Sequence, residues 1–201
     1  PPLGLWFPYP LYRKSHSTHH RDVNLTIPGV DTESYYVRQA DWARMGVWRR
    51  RLLLFNQTMA GRLLIGPLLR LWTLAVKEGG RVRQGDYSHV PHWIVHALAV
   101  GILFWFISGI CAFPWWQYCL LVAYPGLSLG LLRAFTEHRA AADSAERTAS
   151  VESNVLFGML YLYNNLHVAH HLKPTMPWYE IPRFYRDHRA KLLADNGEFV
   201  Y

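Results

Sequence analysis

Apolar residues are gathered into long runs in the second half of the chain. The clearest run covers residues 93–113 and carries no formal charge, and its length of about 20 residues is what an α-helix needs to cross a bilayer. After an aromatic turn at residues 113–116, a second run covers residues 117–132 and includes Pro125-Gly126, where we expect a kink. Together the two runs predict a transmembrane helical hairpin over about residues 93–134.

Apolar segments interrupted by arginine precede this hairpin. Asp41 is suited to cap a helix with tryptophans on one side and arginines elsewhere, a pattern typical of a helix lying on a membrane surface. Residues 52–76 are more apolar but contain Arg62 and Arg70, and a charge at mid-bilayer costs about 3 kcal/mol. We therefore expect an interfacial or re-entrant segment there, followed by a basic, glycine-containing loop at residues 77–83.

The chain after the hairpin is more polar. Residues 139–153 have the composition of a soluble, cytoplasmic segment. Residues 155–162 are apolar but too short to span a bilayer, and we interpret them as a core segment. Residues 185–194 predict a basic amphipathic helix that ends near Asn196-Gly197. The predicted fold class is an all-α integral membrane protein with one domain over residues 1–201, in which the transmembrane hairpin is joined by interfacial helices and a cytoplasmic histidine-rich cap.

The positive net charge does not change the prediction of a membrane protein. The formal net charge of +7 would also suit a nucleic-acid-binding protein. However, the arginines flank the apolar runs, as they do in cytoplasmic loops of membrane proteins, and form no separate basic domain. We therefore expect no nucleic acid partner. The two cysteines, Cys111 and Cys119, both lie in apolar stretches and do not indicate a disulfide framework.

Six of the eleven histidines lie in two short clusters with the same spacing. Each cluster has the form His-x-x-His-His, with His16, His19 and His20 in the first and His167, His170 and His171 in the second. On a helix, positions i, i+3 and i+4 share a face, so each cluster can aim three imidazoles in one direction. An even number of membrane crossings between the clusters leaves both on the same side. The pattern predicts a site for one or two transition ions, although imidazole suits zinc, copper, iron and nickel alike.

Five other residues lie where they can support this site. His138 follows the second hairpin helix, beside Glu137, and we expect it to be a seventh ligand, with a histidine at a helix end as the alternative. Asp22 follows the first cluster and can orient a ligand imidazole, or simply be a solvated acid. Asn164 and Asn165 precede the second cluster and can form a hydrogen bond to the site, or cap a helix.

The other four histidines are interpreted differently, and one of them, His89, lies close in sequence to the next two. His92 and His96 also share a helix face, but they begin the first membrane helix beside Trp93, where interfacial anchoring residues are expected. We therefore expect a structural role for both. His188 lies among charged residues and is interpreted as a solvated residue of a cationic helix.

The paired clusters resemble the histidine boxes of the membrane fatty acid desaturase and hydroxylase superfamily, whose members are di-iron enzymes. The three histidines at residues 16–20 match the second box of that family, those at residues 167–171 match the third, and His138 resembles a single-histidine position of some members. Residues 174–182 also resemble bacterial desaturases and related carotenoid ketolases. The resemblance covers nearly the whole chain and implies the same seven histidines as metal ligands.

This resemblance implies the cofactors and partners. They are two non-haem iron ions, dioxygen as co-substrate, a lipid or fatty-acyl substrate, and a separate electron donor such as a ferredoxin or flavoprotein reductase. The implied location is a bacterial inner membrane, with the histidine clusters on the cytoplasmic side. One feature departs from the family: no first box precedes His16, and His92 and His96 come too late in the chain to replace it. We therefore expect a fragment, truncated at both ends, that is inactive without the first box.

We predict an oxygen-dependent di-iron desaturase of a lipid acyl chain. The nearest alternative is a hydroxylase or ketolase on the same scaffold, acting on an alkyl or carotenoid substrate. A second alternative, from another class, is a non-enzymatic membrane protein that binds a metal or haem. A third is a chain that binds no metal and acts only as a membrane interaction module.

Overall fold

The computed structural model describes residues 2–21 and 24–201, and no β-strand occurs among them. The α-helices are α1 (Tyr9–His19), α2 (Gln39–Arg44), α3 (Val47–Phe55), α4 (Met59–Leu64), α5 (Gly66–Arg83), α6 (Val90–Trp105), α7 (Trp115–Tyr118), α8 (Tyr124–Glu137), α9 (Val155–Leu160), α10 (His167–Leu172) and α11 (Ile181–Asp195). Short 3-10 helices lie at Pro2–Gly4 and Ala145–Arg147.

The chain divides into two compact units. The hairpin unit comprises Pro1–Ser15 and Arg44–Leu132, and the histidine unit comprises His16–Ala43 and Arg133–Tyr201. The hairpin unit contains α3 to α7, and the histidine unit contains α9 to α11.

Two helical segments are long and apolar enough to cross a membrane. Val90–Ile110 and Trp115–Glu137 have mean hydropathies of 2.0 and 1.5, and few of their residues are buried within the protein. Apolar side chains that point outward are expected of helices whose solvent is hydrocarbon. The prediction of an all-α membrane protein with a helical hairpin is confirmed, with the first helix beginning a few residues earlier than expected.

Each membrane helix contains one π-helical turn. These turns lie at Phe106–Ile110 and at Cys119–Ala123. The second turn immediately precedes Tyr124-Pro125, and proline has no amide proton to donate to the preceding turn. The chain remains helical through Pro125 and Gly126, so the irregularity expected at those residues lies one turn earlier.

Residues 3–6 form three hydrogen bonds with the hairpin helices, each to a main-chain carbonyl. The indole of Trp6 donates to the carbonyl of Ala123 at 3.0 Å. His96 Nε2 lies 2.8 Å from the carbonyl of Leu5, and the hydroxyl of Tyr118 donates to the carbonyl of Leu3 at 2.7 Å. His96 therefore has the structural contact expected of it.

Three predictions about the segment before the hairpin are wrong. The single helix expected after Asp41 is two helices, because the chain is extended at Gly46, a residue with low helix propensity. Asp41 lies within the first turn of α2 and not at its cap. The loop expected at residues 77–83 is the last part of α5. There Glu78 accepts hydrogen bonds from the rings of His89 (2.9 Å) and Trp93 (3.0 Å), which offsets the low helix propensity of the two glycines.

In the histidine unit, α10 packs against α11 around a small apolar core. The core consists of Leu166, Ala169, Ile181, Tyr185 and Leu192. The core segment predicted at residues 155–162 is not part of it: α9 leaves Val155 67% and Leu156 75% exposed, and the second histidine cluster begins a separate helix, α10. Composition alone could not distinguish an apolar helix in a protein core from one that faces outward.

Candidate metal centre

The two His-x-x-His-His clusters are helical. His16 and His19 lie in α1, and the amide of His20 continues the helix with a hydrogen bond to the carbonyl of His16 at 3.0 Å. The second cluster lies entirely within α10. Each cluster therefore presents its imidazoles on one face, as the i, i+3, i+4 spacing predicts.

The seven predicted ligand histidines converge in the histidine unit as two groups. In each group, one ring nitrogen from every histidine lies within 4.8 Å of the others. The first group is His19, His138, His167 and His171, and the second group is His16, His20 and His170. Each group takes histidines from both clusters, so neither cluster corresponds to one metal position.

In the first group, the Nε2 atoms face one another. His138 Nε2 lies 3.1 Å from His19 Nε2 and 3.0 Å from His167 Nε2, and His171 Nε2 lies 3.1 Å from His167 Nε2. The Nδ1 atoms point away from the group. His138 Nδ1 lies 3.1 Å from the carbonyl of Arg147, and His167 Nδ1 lies 3.2 Å from the carbonyl of Asn164.

This arrangement fixes the tautomers. A carbonyl can only accept a hydrogen bond, so the Nδ1 atoms of His138 and His167 carry the protons and their Nε2 atoms are lone-pair acceptors. Two facing acceptors cannot form a hydrogen bond with each other. Their close approach is instead the arrangement expected of ligands that share a cation, with the second nitrogen of each ring held by a carboxylate or a carbonyl.

The second group is adjacent and similar in construction. His20 Nε2 lies 3.1 Å from His16 Nε2, and the ring of His170 lies 4.6 Å from that of His20. His16 Nδ1 faces Glu33 Oε1 at 3.0 Å. The rings of His20 and His171, one from each group, are 4.3 Å apart, so the two groups form one contiguous centre.

Two acidic residues that sequence reasoning missed hold the first cluster. Asp31 Oδ1 lies 2.9 Å from His19 Nδ1, and Asp31 also accepts the amides of Thr26 (2.8 Å) and Glu33 (2.9 Å). Asp31 and Glu33 lie in a turn-rich loop at residues 24–36. Their distance along the chain from the histidines follows no fixed spacing, so no motif could have identified them.

The other predicted supporting residues have different positions. Glu137 Oε1 lies 3.3 Å from His167 Nδ1 and 2.7 Å from Arg133 Nε, in a buried position. Asn164 meets His167 through its main-chain carbonyl. The side-chain amide of Asn165 donates to the carbonyl of Val151 at 2.7 Å, so it holds the preceding loop. Asp22 lies outside the described residues.

Burial keeps most of these imidazoles neutral. Burial, together with the charges of neighbouring histidines, lowers the pKa of His20 and of His138 to about 4 and that of His170 to about 3. The pKa values of His167 and His171 are lowered for the same reasons. Neutral imidazole is the form that binds metals, because its second nitrogen keeps a free lone pair.

His19 differs from the other members of its group. Its burial lowers the pKa, but the hydrogen bond to Asp31 and the charges of Glu33 and Asp31 outweigh that effect, so the net pKa is raised. The pKa of Asp31 is lowered, because hydrogen bonds from His19 and from two backbone amides outweigh its burial. The carboxylate of Asp31 is therefore ionised, and its negative charge can partly balance a bound cation.

The donor set fits a pair of transition ions. Two neighbouring nitrogen ligands of an octahedral ion, with metal–nitrogen bonds of about 2.1 Å, are about 3.0 Å apart. The Nε2 separations of 3.0 and 3.1 Å match that value. In addition, His20 Nδ1 is buried and has no hydrogen-bond partner within residues 2–21 and 24–201. The histidines alone do not select iron over zinc.

The remaining histidines lie apart from both groups. His96 binds the carbonyl of Leu5, and His188 Nδ1 lies 2.9 Å from the carbonyl of Phe184 on the exposed face of α11. His92 is exposed in α6. The fourth, His89, contacts Glu78, and none of the four belongs to a potential metal-binding group among the residues that the structure describes.

Comparison with known proteins identifies the family. A family model described as fatty acid desaturase matches residues 2–200. Neither the curated proteins nor the solved structures that were compared match the chain. The family match agrees with the resemblance of the histidine clusters, and it indicates an oxidoreductase of the desaturase or hydroxylase type with a lipid substrate in a membrane. Since the match covers nearly every residue, the chain belongs to the fatty acid desaturase family.

Proposed function

We propose that the protein desaturates a lipid acyl chain with dioxygen, using two iron ions held by His16, His19, His20, His138, His167, His170 and His171. The observation that supports this most strongly is the convergence of unprotonated Nε2 atoms in the buried first group. Bound there, two irons would supply the oxygen-dependent removal of hydrogen from an unactivated methylene, a reaction that no protein side chain performs alone.

The side chains around the ions would orient and balance them. Asp31 holds the ring of His19, Glu33 holds that of His16, and Glu137 lies against that of His167. Each contact lies on the side of the ring away from the group, so it fixes both the tautomer and the direction of the lone pair. The carboxylates of Asp31 and Glu33 also offset part of the charge that two metal ions would bring into the site.

The same centre suits the nearest alternative, a hydroxylase or ketolase. Reduction of dioxygen to two waters takes four electrons, of which desaturation of one bond supplies two. Hydroxylation places one oxygen atom in the substrate and also needs two external electrons. The histidine geometry is compatible with both outcomes, so the product must distinguish them.

An electron donor and a membrane orientation complete the proposal. The two missing electrons require a partner, and we propose a separate ferredoxin or flavoprotein reductase. Arg81 and Arg83 precede the first membrane helix, and Arg139 follows the second. Basic residues beside membrane helices favour the cytoplasmic side, so we propose a bacterial inner membrane protein with the histidine groups facing the cytoplasm.

The experiment is a product analysis. The protein is expressed from its complete coding sequence in a host that lacks the activity, and the lipids are analysed by mass spectrometry. New double bonds that disappear in His170→Ala but persist in His188→Ala would support the proposal. Added oxygen instead of double bonds would favour a hydroxylase or ketolase. Unchanged lipids in the presence of iron-loaded protein and a working electron donor would contradict an enzymatic role.

A further inference from the structure

Helix α9 of the histidine unit is uncharged, apolar and exposed, and it precedes α10 in the chain. Among its residues, Val155, Leu156, Phe157, Met159 and Leu160 are between 52% and 75% exposed, and Leu162 just beyond it is 49% exposed. No charged residue occurs from residue 153 to residue 166. An apolar surface of this kind on a soluble face would be a liability for aggregation.

Only one face of α9 packs against protein. Gly158 is buried against the ring of Tyr163, where an added Cβ would lie 2.3 Å from the nearest ring carbon. The five apolar side chains cover the rest of the helix circumference instead of forming one narrow stripe. A helix that is apolar on nearly all sides is typical of a nonpolar surrounding and not of a single flat contact.

The backbone polar groups at both ends of α9 form hydrogen bonds within the segment, as a hydrocarbon surrounding requires. A segment in lipid must satisfy its polar groups internally, because no water is available to do so. The side chain of Asn154 accepts the amide of Phe157 at 3.0 Å, and the carbonyl of Asn154 accepts the amide of Gly158 at 2.9 Å. After the helix, the amide of Tyr163 returns to the carbonyl of Gly158 at 2.7 Å.

The surroundings of α9 resemble a membrane interface. Tyr163 stacks on Trp178 with ring centroids 6.3 Å apart, and Trp178 meets Tyr179 at 5.8 Å. Trp178 and Tyr179 are 40% and 64% exposed, and amphipathic aromatics are enriched where lipid meets water. Val155 follows the end of the second membrane helix by fewer than 20 residues, a tether well within reach of the same bilayer.

We propose that α9 inserts into the acyl-chain layer of the bilayer as a short helix that does not cross it. At a rise of about 1.5 Å per residue, α9 is about 9 Å long, far less than a hydrocarbon core of about 30 Å. Lipid fits better than a protein partner because the surface carries no charge or polar side chain that would orient one. Insertion anchors the segment that leads into His167, independently of what the metal centre catalyses.

The test measures the surroundings of single labelled cysteines in liposomes. Cys111 and Cys119 are first replaced by serine, and cysteine is then introduced as Leu156→Cys in α9. Leu98→Cys, on the exposed face of α6, serves as the lipid-facing reference, and Ala190→Cys, on the exposed face of α11, as the aqueous reference. Each variant carries a polarity-sensitive fluorophore, and an unchanged far-ultraviolet circular dichroism spectrum confirms that it is folded.

We expect the probe at residue 156 to behave like the probe at residue 98. Its emission should shift to the blue. Nitroxide-labelled acyl chains should quench it several-fold more than they quench the probe at residue 190. Aqueous iodide should have little effect on its fluorescence. Quenching by iodide equal to that at residue 190 would overturn the proposal. Protection from both quenchers would also overturn it, because that result indicates burial against protein or a second copy of the chain.

Discussion

His19 and Asp31 form a buried pair in which Nδ1 of the imidazole lies 2.9 Å from Oδ1 of the carboxylate, and each side chain is only 2% exposed. The pairing turns Nε2 of His19 toward Nε2 of His138, 3.1 Å away. A residue in a turn-rich loop therefore sets the direction of a ligand in α1. The proposed metal centre therefore depends on this loop as well as on the histidine boxes.

Replacement of Asp31 should weaken metal binding without unfolding the protein. Loss of a carboxylate that orients a ligand histidine typically costs a factor of about 10 to 100 in metal affinity. We expect a loss of that size for Asp31→Ala, measured by competition with a chelator. Asp187→Ala is the matched control, since its ion pair with Arg183 is exposed. Equal affinities for the two variants would show that Asp31 does not orient His19 in the metal-bound protein.

His138 should be needed for the first of the two metal positions. Its Nε2 lies 3.0 to 3.1 Å from the Nε2 atoms of both His19 and His167, one from each box. We expect His138→Ala to lose about one metal ion per chain, because the second group has other donors. His92→Ala removes an exposed histidine and should keep the wild-type metal content. Full metal content in His138→Ala, measured by elemental analysis, would refute its role as a ligand.

Glu137 should contribute to stability as well as to the metal centre. Its carboxylate pairs with Arg133 at 2.7 Å and is 5% exposed. Removal of one partner of a buried ion pair typically costs about 3 kcal/mol, because the other charge is left without compensation. We expect Glu137→Gln to lower the free energy of unfolding by about that amount, whereas the exposed Glu180→Gln should have little effect. The double variant Arg133→Leu/Glu137→Gln should recover part of the loss, and failure to do so would argue against the pair as the cause.

The metal-free protein should lose stability in mild acid. Burial and neighbouring histidines lower the pKa of His20 and His138 to about 4 and that of His170 to about 3, below the ordinary value of 6.5. The unfolded chain therefore binds protons at a higher pH than the folded chain does, and stability present above pH 6.5 is lost as the pH falls toward 4. His19, whose pKa is raised, acts in the opposite direction but is outnumbered.

Thermal unfolding of the metal-free protein between pH 7 and pH 4 measures this effect. The midpoint should fall steadily over that range. A midpoint that does not change between pH 7 and pH 4 would mean that these histidines are not buried as neutral groups.

The histidine boxes could be recognised from the sequence because their spacing matches the helical period. That spacing, together with the hairpin, predicted that residues far apart in the chain would meet, and the two groups contain all seven predicted histidines. Asp31 and Glu33 could not be found in this way, because the path of an irregular loop decides where its side chains lie. The side chain of Asn165, a candidate supporting residue, donates a hydrogen bond to the carbonyl of Val151, a contact that the sequence does not predict.

The wrong predictions for α9 and for residues 77–83 also arise because tertiary contacts cannot be read from a local sequence pattern. An apolar hexapeptide has the same composition whether it packs in a core or faces outward. Composition therefore predicts a core position for α9, which the structure does not show. Gly79 and Gly80 indicated a loop, but contacts of Glu78 with His89 and Trp93 maintain the helix there. In α5 a tertiary contact outweighs the low helix propensity of two glycines. In α9 the apolar side chains lack the core contacts that their composition would lead one to expect.

The most direct test of the proposed centre is the metal content of the protein, purified from its complete coding sequence without added metal. Elemental analysis and optical spectroscopy are made on the same sample. We predict two non-haem iron ions per chain, reduced to about one in His138→Ala and unchanged in His92→Ala. One zinc ion per chain, or a haem absorption band, would contradict the assignment of the seven histidines to a di-iron centre.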